Sequence, residues 1–481
     1  MPTTTLHGKP AAPVIGSLLL AALVFALSQT LVAPALPAIT REFGTTSTSS
    51  SWVLTGYLLS ASVCTPLAGK LGDLFGKARV LTAVLLLFCI GSVVCALAGS
   101  IEMVILGRVV QGVAGGVFPL AFGIINDELP AERRAVAIGT MSAMFGIGGG
   151  IGLPLSGAIV DHVDMSWLFW IGLLALPAAV LVNRLVPPSP PRERTRIDWV
   201  GAALLSTGLA AVLLGISKAN AWGWDSGRTL GALLGGLAIL ALFVRVELHR
   251  AQPLVDMRVL GERPVLATNL TGFLMGMAMF GSFLMIPMFA QTPESAGYGF
   301  GMTVLQSGLI MVPSSIVMLV CGPLGGVLGN RIGFRAVLTL GTMAVVLCFG
   351  LLTVAHATVW EFILANILVG VGISFSFASM ANLIVGLVDA REVGIATGIN
   401  AIMRTVGGAF GAAVVTALLS GDTIAGTAMP TEHAYTEAFA ISGAISVLAL
   451  LAALWIPRGG RPEAAPVAPP HAAPDLTAAR R

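Results

Sequence analysis

Charge is scarce in this chain. Only 10% of its 481 residues are Asp, Glu, Lys or Arg, while 56% are hydrophobic and the mean hydropathy is +0.92; soluble domains carry about 25% charged residues. That balance excludes a water-soluble globular protein and places the chain in a lipid bilayer. The net charge of +3 is small, and the basic residues sit in short clusters between apolar runs, so no nucleic-acid partner is expected. Cysteine is rare too. Cys64, Cys89, Cys95, Cys321 and Cys348 all fall inside apolar runs without metal-ligand spacing or an extracellular pairing pattern, and read as small packing residues. The six histidines lie in loops, tails or span ends, which leaves no nucleophile–base pair or metal cluster for an intramembrane enzyme. No phosphate-cradling glycine loop is present, so ATP hydrolysis is not an internal energy source, and neither cofactor nor metal is expected.

What the chain has in abundance is long apolar runs. A helix needs roughly 20 residues to cross a hydrocarbon core of about 30 Å, and fourteen runs qualify: 14–38, 52–71, 80–99, 102–126, 135–160, 166–186, 199–217, 229–247, 265–290, 302–328, 336–356, 359–385, 394–419 and 436–456. The first has no small-residue cleavage site and reads as a retained span. Short connections force neighbouring spans to alternate in direction. With both termini in the cytoplasm, the inner connections and tails hold 21 of the 26 Lys and Arg residues and the outer side holds Arg41, Lys218 and Arg228. Basic residues stay on the cytoplasmic side, so this asymmetry sets the orientation. Arg108 and Arg404 complete the count and fall within spans. The acids divide ten outside and thirteen inside, and none is near the midplane.

The stretch "GKLGDLFGKAR", residues 69–79, concentrates Lys70, Asp73, Lys77 and Arg79 in the inner turn between the second and third spans. It has a second copy. "GGVLGNRIGFR", residues 325–335, repeats Gly69, Leu71, Asp73 and Gly76 as Gly326, Leu328, Asn330 and Gly333, an offset of 257. One residue further displaced, Gly112 maps to Gly370, and Gly149 and Gly150 map to Gly407 and Gly408. Spans one to six therefore repeat as nine to fourteen, and the fold expected is all-α: two six-helix bundles in a pseudo-twofold arrangement with two linker helices inserted between them. The expected divisions are a cytoplasmic tail (1–13), a first bundle (14–187), a linker with two spans (188–262), a second bundle (263–457) and a disordered cytoplasmic tail (458–481). Parallel duplicated bundles are the architecture of alternating-access carriers. A channel would need a symmetric pore ring, which a duplicated monomer does not supply.

These residues resemble the major facilitator superfamily, and within it the fourteen-span drug:proton antiporter branch. "GKLGDLFGKAR" is similar to the superfamily's signature turn, "LGRVVQGVAGG" (106–116) to its fourth-helix motif with an embedded arginine, and "GIGGGIGLPLSGAI" (146–159) to the antiporter helix. "NAWGWDSGRT" (220–229) and "AQPLVDMRVL" (251–260) are similar to the linker-helix surroundings of that branch. In "LSQTLVAPALP" (27–37), Ser28 stands where exporters of the branch often carry an aspartate. The resemblance implies a secondary active exporter of drug-like or antibiotic molecules, coupled to protons, monomeric, and embedded in a bacterial inner membrane. The alternative is an importer or facilitator of a small metabolite.

Site expectations follow. Gly69, Asp73, Gly76, Lys77 and Arg79, with Asn330, Arg331, Gly333 and Arg335 of the second copy, form a gating turn in which Asp73 can latch the bundles. Gly146, Gly150, Pro154 and Gly157 make the fifth span pliable and close-packing. Arg108, Gln111, Asp73, Asp127 and Glu361 are coupling candidates, because an embedded cation should face a partner or a cavity and not lipid. Ser28, Gln29, Thr30, Tyr57, Phe280, Phe283, Asn366, Asn400 and Arg404 are cavity candidates, the phenylalanines lying in the Met- and Phe-rich stretch 273–289. Two embedded arginines without embedded acids favour neutral, zwitterionic or anionic substrates over lipophilic cations.

Overall fold

The computed structural model describes residues 5–6, 9–187, 198–250, 253–389, 392–425, 427 and 429–457. The interbundle connection at 188–197, the C-terminal stretch from 458, Arg391, and Ala251 and Gln252 of the linker motif lie outside them. Within hydrocarbon every backbone polar group must be satisfied internally, and a chain of this hydropathy meets that demand with helices. Among the described residues fourteen helical segments are long and apolar enough to span a bilayer: Ala12–Leu36, Trp52–Phe75, Lys77–Ala96, Ile101–Glu128, Arg133–Val160, Trp167–Leu185, Trp199–Trp222, Gly227–His249, Arg263–Gln291, Val304–Ile332, Phe334–Val354, Val359–Leu387, Val393–Gly421 and Glu432–Trp455. They are numbered as spans one to fourteen.

Three spans are interrupted. The fourth tightens into a 3-10 turn over Gly112–Gly116, where a Cβ on Gly112, Gly115 or Gly116 would collide with Ser60, Ala61 or Ala68 of the second span. The missing side chains let the two backbones touch. The sixth passes through a 3-10 turn at Ile171–Leu174, and the tenth is divided between Val304–Leu309 and Val312–Ile332, with Pro313 opening the second segment. Proline lacks the N–H that a continuous helix would need there.

The two bundles are built alike. Gly76 ends the second span at φ 94°, ψ 125°, and Gly333 ends the tenth at φ 90°, ψ 141°, a conformation L side chains seldom adopt. Gly112 rests on the Tyr57 carbonyl, and Gly370 on that of Ser314, 257 residues beyond Tyr57. The repeat read in the sequence is thus a repeat of contacts. Its register shifts at the fifth span: Gly407 and Gly411 of the thirteenth pack on the Phe273 and Met277 carbonyls of the ninth, whereas Gly148 and Gly152 make the matching approach to the first span. Gly149 and Gly150 turn instead toward Phe283 and Ser315 of the second bundle.

Between bundles, the fifth span packs on the tenth and twelfth, and the second and fourth pack on the thirteenth. The seventh lies against its neighbour the eighth and reaches both bundles, contacting the second and thirteenth spans. The eighth leaves most of its surface exposed.

Candidate functional site

One end of the molecule carries the turns at Gly76 and Gly333, with Lys70, Lys77, Arg79, Arg331 and Arg335 on and around them. Here the bundles are drawn together. A Cβ on Gly69 would sit 3.0 Å from the Gly394 carbonyl carbon. Gly326 abuts the Ala135 carbonyl, and the Asn382 amide donates to the same oxygen at 3.4 Å. Asp73 lies one turn beyond Gly69. In the first turn Lys77 is only 4% exposed and sits 2.7 Å from Asp127 and 3.6 Å from Asp73. The second turn replaces that charge cluster with packing: Phe334, at the Lys77 position, fills the space over Gly329, while Asn330 and Arg331 are exposed and Arg335 donates to the Leu454 carbonyl at 2.8 Å. Arg79 is exposed. Glu392, ahead of the thirteenth span, is pushed above the usual carboxylate range by burial, with Asp256 and Asp389 adding to the effect and Lys70 opposing it.

Removing a cation from between two nearly buried carboxylates is costly. We expect Lys77→Met to destabilise the protein by about 3 kcal/mol, read as a lower midpoint of thermal unfolding in detergent. An unchanged midpoint would mean that solvent already screens the two aspartates.

The four antiporter-helix residues share a face. Gly146 meets Met318, Gly150 meets Ser315, Pro154 packs on Gly308, and Gly157 faces Val304, all on the tenth span. The Ser315 hydroxyl donates to the Gly146 carbonyl at 3.3 Å. This seam runs the length of the two helices, and the glycines allow close backbone approach along it.

Arg108 is fully enclosed by the first bundle. Its Nη1 donates to Gln111 Oε1 at 2.8 Å, Ser28 Oγ at 3.1 Å and the Ser28 carbonyl at 3.3 Å; Nε donates to the Val53 carbonyl at 3.3 Å. The Tyr57 ring lies 4.0 Å from the guanidinium carbon. Gln111 passes the chain of hydrogen bonds to Ser92 at 2.8 Å. Nη2 has no hydrogen-bond partner among the described residues. Ser28 and Tyr57 therefore serve Arg108 and do not line the central cavity.

That cavity lies near mid-height between the bundles. Phe25 and Gln29 come from the first span, Ser62 and Thr65 from the second, Phe118 from the fourth and Phe145 from the fifth. The second bundle supplies Met279 and Phe280 from the ninth span, Phe377 from the twelfth, and Arg404 and Thr405 from the thirteenth. No acidic residue lines it. Its volume of about 40 Å³ is far below the roughly 300–1,000 Å³ of drug-sized pockets, so the bundles are closed around it in this conformation. Of the expected cavity residues, Gln29, Phe280 and Arg404 are brought together here. Thr30 bridges to the Gly148 carbonyl at 2.8 Å, Phe283 covers Gly149, Asn366 donates to its own helix at Phe362, and Asn400 holds Arg404. Of the coupling candidates, Asp127 pairs with Lys77 and Glu361 caps the twelfth span by accepting from the Thr358 N–H at 2.7 Å. Phe25, Phe118, Phe145 and Phe377 escaped the sequence reading; for two of them the signal was position, Phe145 immediately preceding the antiporter-helix glycines and Phe118 following the GVAGG turn.

The profile of the Major Facilitator Superfamily matches residues 18–299 and 269–479. The chain belongs to this superfamily. An uncharacterized MFS-type transporter of Mycobacterium tuberculosis is 30% identical over 434 residues, which cover 87% of this chain and 61% of that protein. The chain thus spans about three-fifths of that relative's length. The multidrug transporter protein MdtP of Bacillus subtilis is 29% identical over 412 residues, covering 84% of this chain and 75% of MdtP. The crystal structure of the human organic anion transporter MFSD10 superposes with a TM-score of 0.63 at 16% identity, covering 92% of this chain and 99% of the other, which establishes a shared fold. This major facilitator protein is a multi-pass membrane protein of a transporter family, not of an enzyme family.

Proposed function

We propose that the chain is a secondary active exporter of drug-like organic molecules that works by alternating access, coupled to proton influx. It acts as a monomer in a bacterial cytoplasmic membrane with both termini and the basic end in the cytoplasm. The observation that carries this reading is the cavity itself: residues of both bundles enclose it, the bundles meet at the basic end through Gly69 and Gly394, and they share a glycine seam at the fifth and tenth spans. Rocking on that seam opens the cavity to one side at a time. A relative named for multidrug transport supports the substrate range. One proton falling through about 100 mV supplies about 2.3 kcal/mol, enough for a roughly fiftyfold gradient. In this reading Asp73 and Asp127, which flank Lys77, exchange that proton with the cytoplasm when the basic end opens.

Everted membrane vesicles test this. Respiring vesicles that contain the protein should accumulate drug-like probes, and an uncoupler should abolish the accumulation. Uptake that continues unchanged with uncoupler present would indicate facilitated diffusion, and accumulation only in right-side-out vesicles would indicate an importer.

A further inference from the structure

We infer that the ligand of the central cavity is an organic anion, an aryl carboxylate or sulfonate, whose acid group pairs with Arg404. The inference rests on the exporter reading and adds the chemical class of its substrate. Arg404 lies inside the thirteenth span, is 6% exposed, and lines a cavity without a carboxylate. Its Nη1 donates to Asn400 Oδ1 at 2.6 Å, and the Asn400 amide is itself fixed on Asn269 Oδ1 at 3.1 Å. Among the described residues the guanidinium makes no other hydrogen bond and no ion pair, and Arg404 lines the cavity.

A buried guanidinium held by one amino group presents the rest of its fork to whatever occupies the cavity. That fork matches the two oxygens of a carboxylate or sulfonate, and a hydrogen bond with charge on both sides is roughly twice as strong as a neutral one. Phe377 and Phe145 sit 4.5 and 5.8 Å from the guanidinium carbon, one from each bundle. They shield the cation through their ring faces. Phe145 also stacks on Phe118 at 4.2 Å, with Phe25 edge-on at 6.0 Å, giving a flat apolar wall suited to an aromatic body. Arg108, beyond Phe25 and Tyr57, is a second buried cation that forms no ion pair with a carboxylate among the described residues, and it adds positive potential of the same sign. A cationic drug would meet two uncompensated guanidinium charges, and an anion would neutralise the nearer one.

The test uses three probes in everted vesicles made with the full chain: 8-anilinonaphthalene-1-sulfonate, its neutral counterpart N-phenyl-1-naphthylamine, and ethidium. The sulfonate should accumulate at least tenfold faster than either of the others over vesicles lacking the protein. Arg404→Gln should lower sulfonate transport at least tenfold while reaching the membrane in the parent's amount and eluting as a single monodisperse peak in detergent, which shows that the variant is folded. Arg404→Lys should retain part of the sulfonate activity. Asn400→Leu leaves the charge and frees the fork, and should raise the KM for the sulfonate about fivefold with little change in maximal rate. Transport of ethidium or the amine with exclusion of the sulfonate, or undiminished sulfonate transport by Arg404→Gln, overturns the anion assignment and leaves the exporter standing. Failure to move any probe overturns the exporter reading as well.

Discussion

Oxidising a Gly69→Cys/Gly394→Cys double variant should stop transport, and reducing it should restore transport. A Cβ on Gly69 sits 3.0 Å from the Gly394 carbonyl carbon, and one on Gly394 sits 3.5 Å from Gly69 Cα. Disulfides need a Cβ separation of about 3.5–4.5 Å, so these positions are within reach of a bridge after small adjustment. The two residues belong to different bundles at the basic end, and alternating access requires that end to open once per cycle. A covalent bridge removes that half of the cycle while leaving the fold intact, so we expect a loss of roughly a hundredfold, reversed by dithiothreitol. Each single variant, treated with the same oxidant, should transport normally. The five native cysteines are buried or half-buried within spans and offer the new thiols no ready competitor. A variant shown by gel mobility to be fully bridged and yet fully active would remove the basic end as a gate.

The second large effect should come from Arg108. Leucine at this position is smaller than the fully buried arginine, so it would leave a cavity and also leave Gln111 Oε1, the Ser28 hydroxyl and the Val53 carbonyl without their shared donor. Each buried polar group left unpaired costs about 1–3 kcal/mol, so Arg108→Leu should lose on the order of 3–5 kcal/mol and accumulate poorly in the membrane. Lysine keeps the charge but is a single point donor that cannot span acceptors on the first, second and fourth spans. Arg108→Lys should therefore reach the membrane with a depressed thermal midpoint and low transport. A lysine variant as stable and as active as the parent would show that only the charge at this position matters, and not the fork. The comparison with Arg404 is informative, because there the same substitution is expected to leave part of the activity.

The span count was legible because it rests on a length that lipid imposes, and the duplication was legible because glycines at close backbone approaches tolerate no replacement. Gly112 and Gly370 meet equivalent carbonyls for that reason. Which face of each helix looks at the cavity was much less legible. In a soluble helix the polar stripe marks the outside, but here lipid is as apolar as a protein interior, and the ninth span carries Met and Phe on every side. Phe283 and Phe280 looked equivalent in sequence; one covers a glycine of the fifth span and the other lines the cavity. The two embedded arginines were likewise alike on paper. What separates them is three-dimensional company: Ser28, Tyr57 and Gln111 close around Arg108, whereas Asn400 holds Arg404 from behind and leaves it facing inward. The asymmetry between the two signature turns was present in the sequence, as lysine at 77 and phenylalanine at 334, but its meaning needed the buried placement of Lys77 between two aspartates.

The seventh span has a mechanical consequence. Thr55 and Ser217 hydroxyls lie 3.1 Å apart, Lys218 donates to Ser51 at 2.5 Å, and Asn220 donates to the Ala413 carbonyl at 3.2 Å. A strut fastened to both halves cannot stay fastened to both as they pivot. Two of these ties grip the first half and one grips the second, so the strut and its outlying companion should ride as cargo on the first half and slip against the other. Each conversion would then drag the eighth helix sideways through surrounding acyl chains and tie the pace of the cycle to bilayer viscosity.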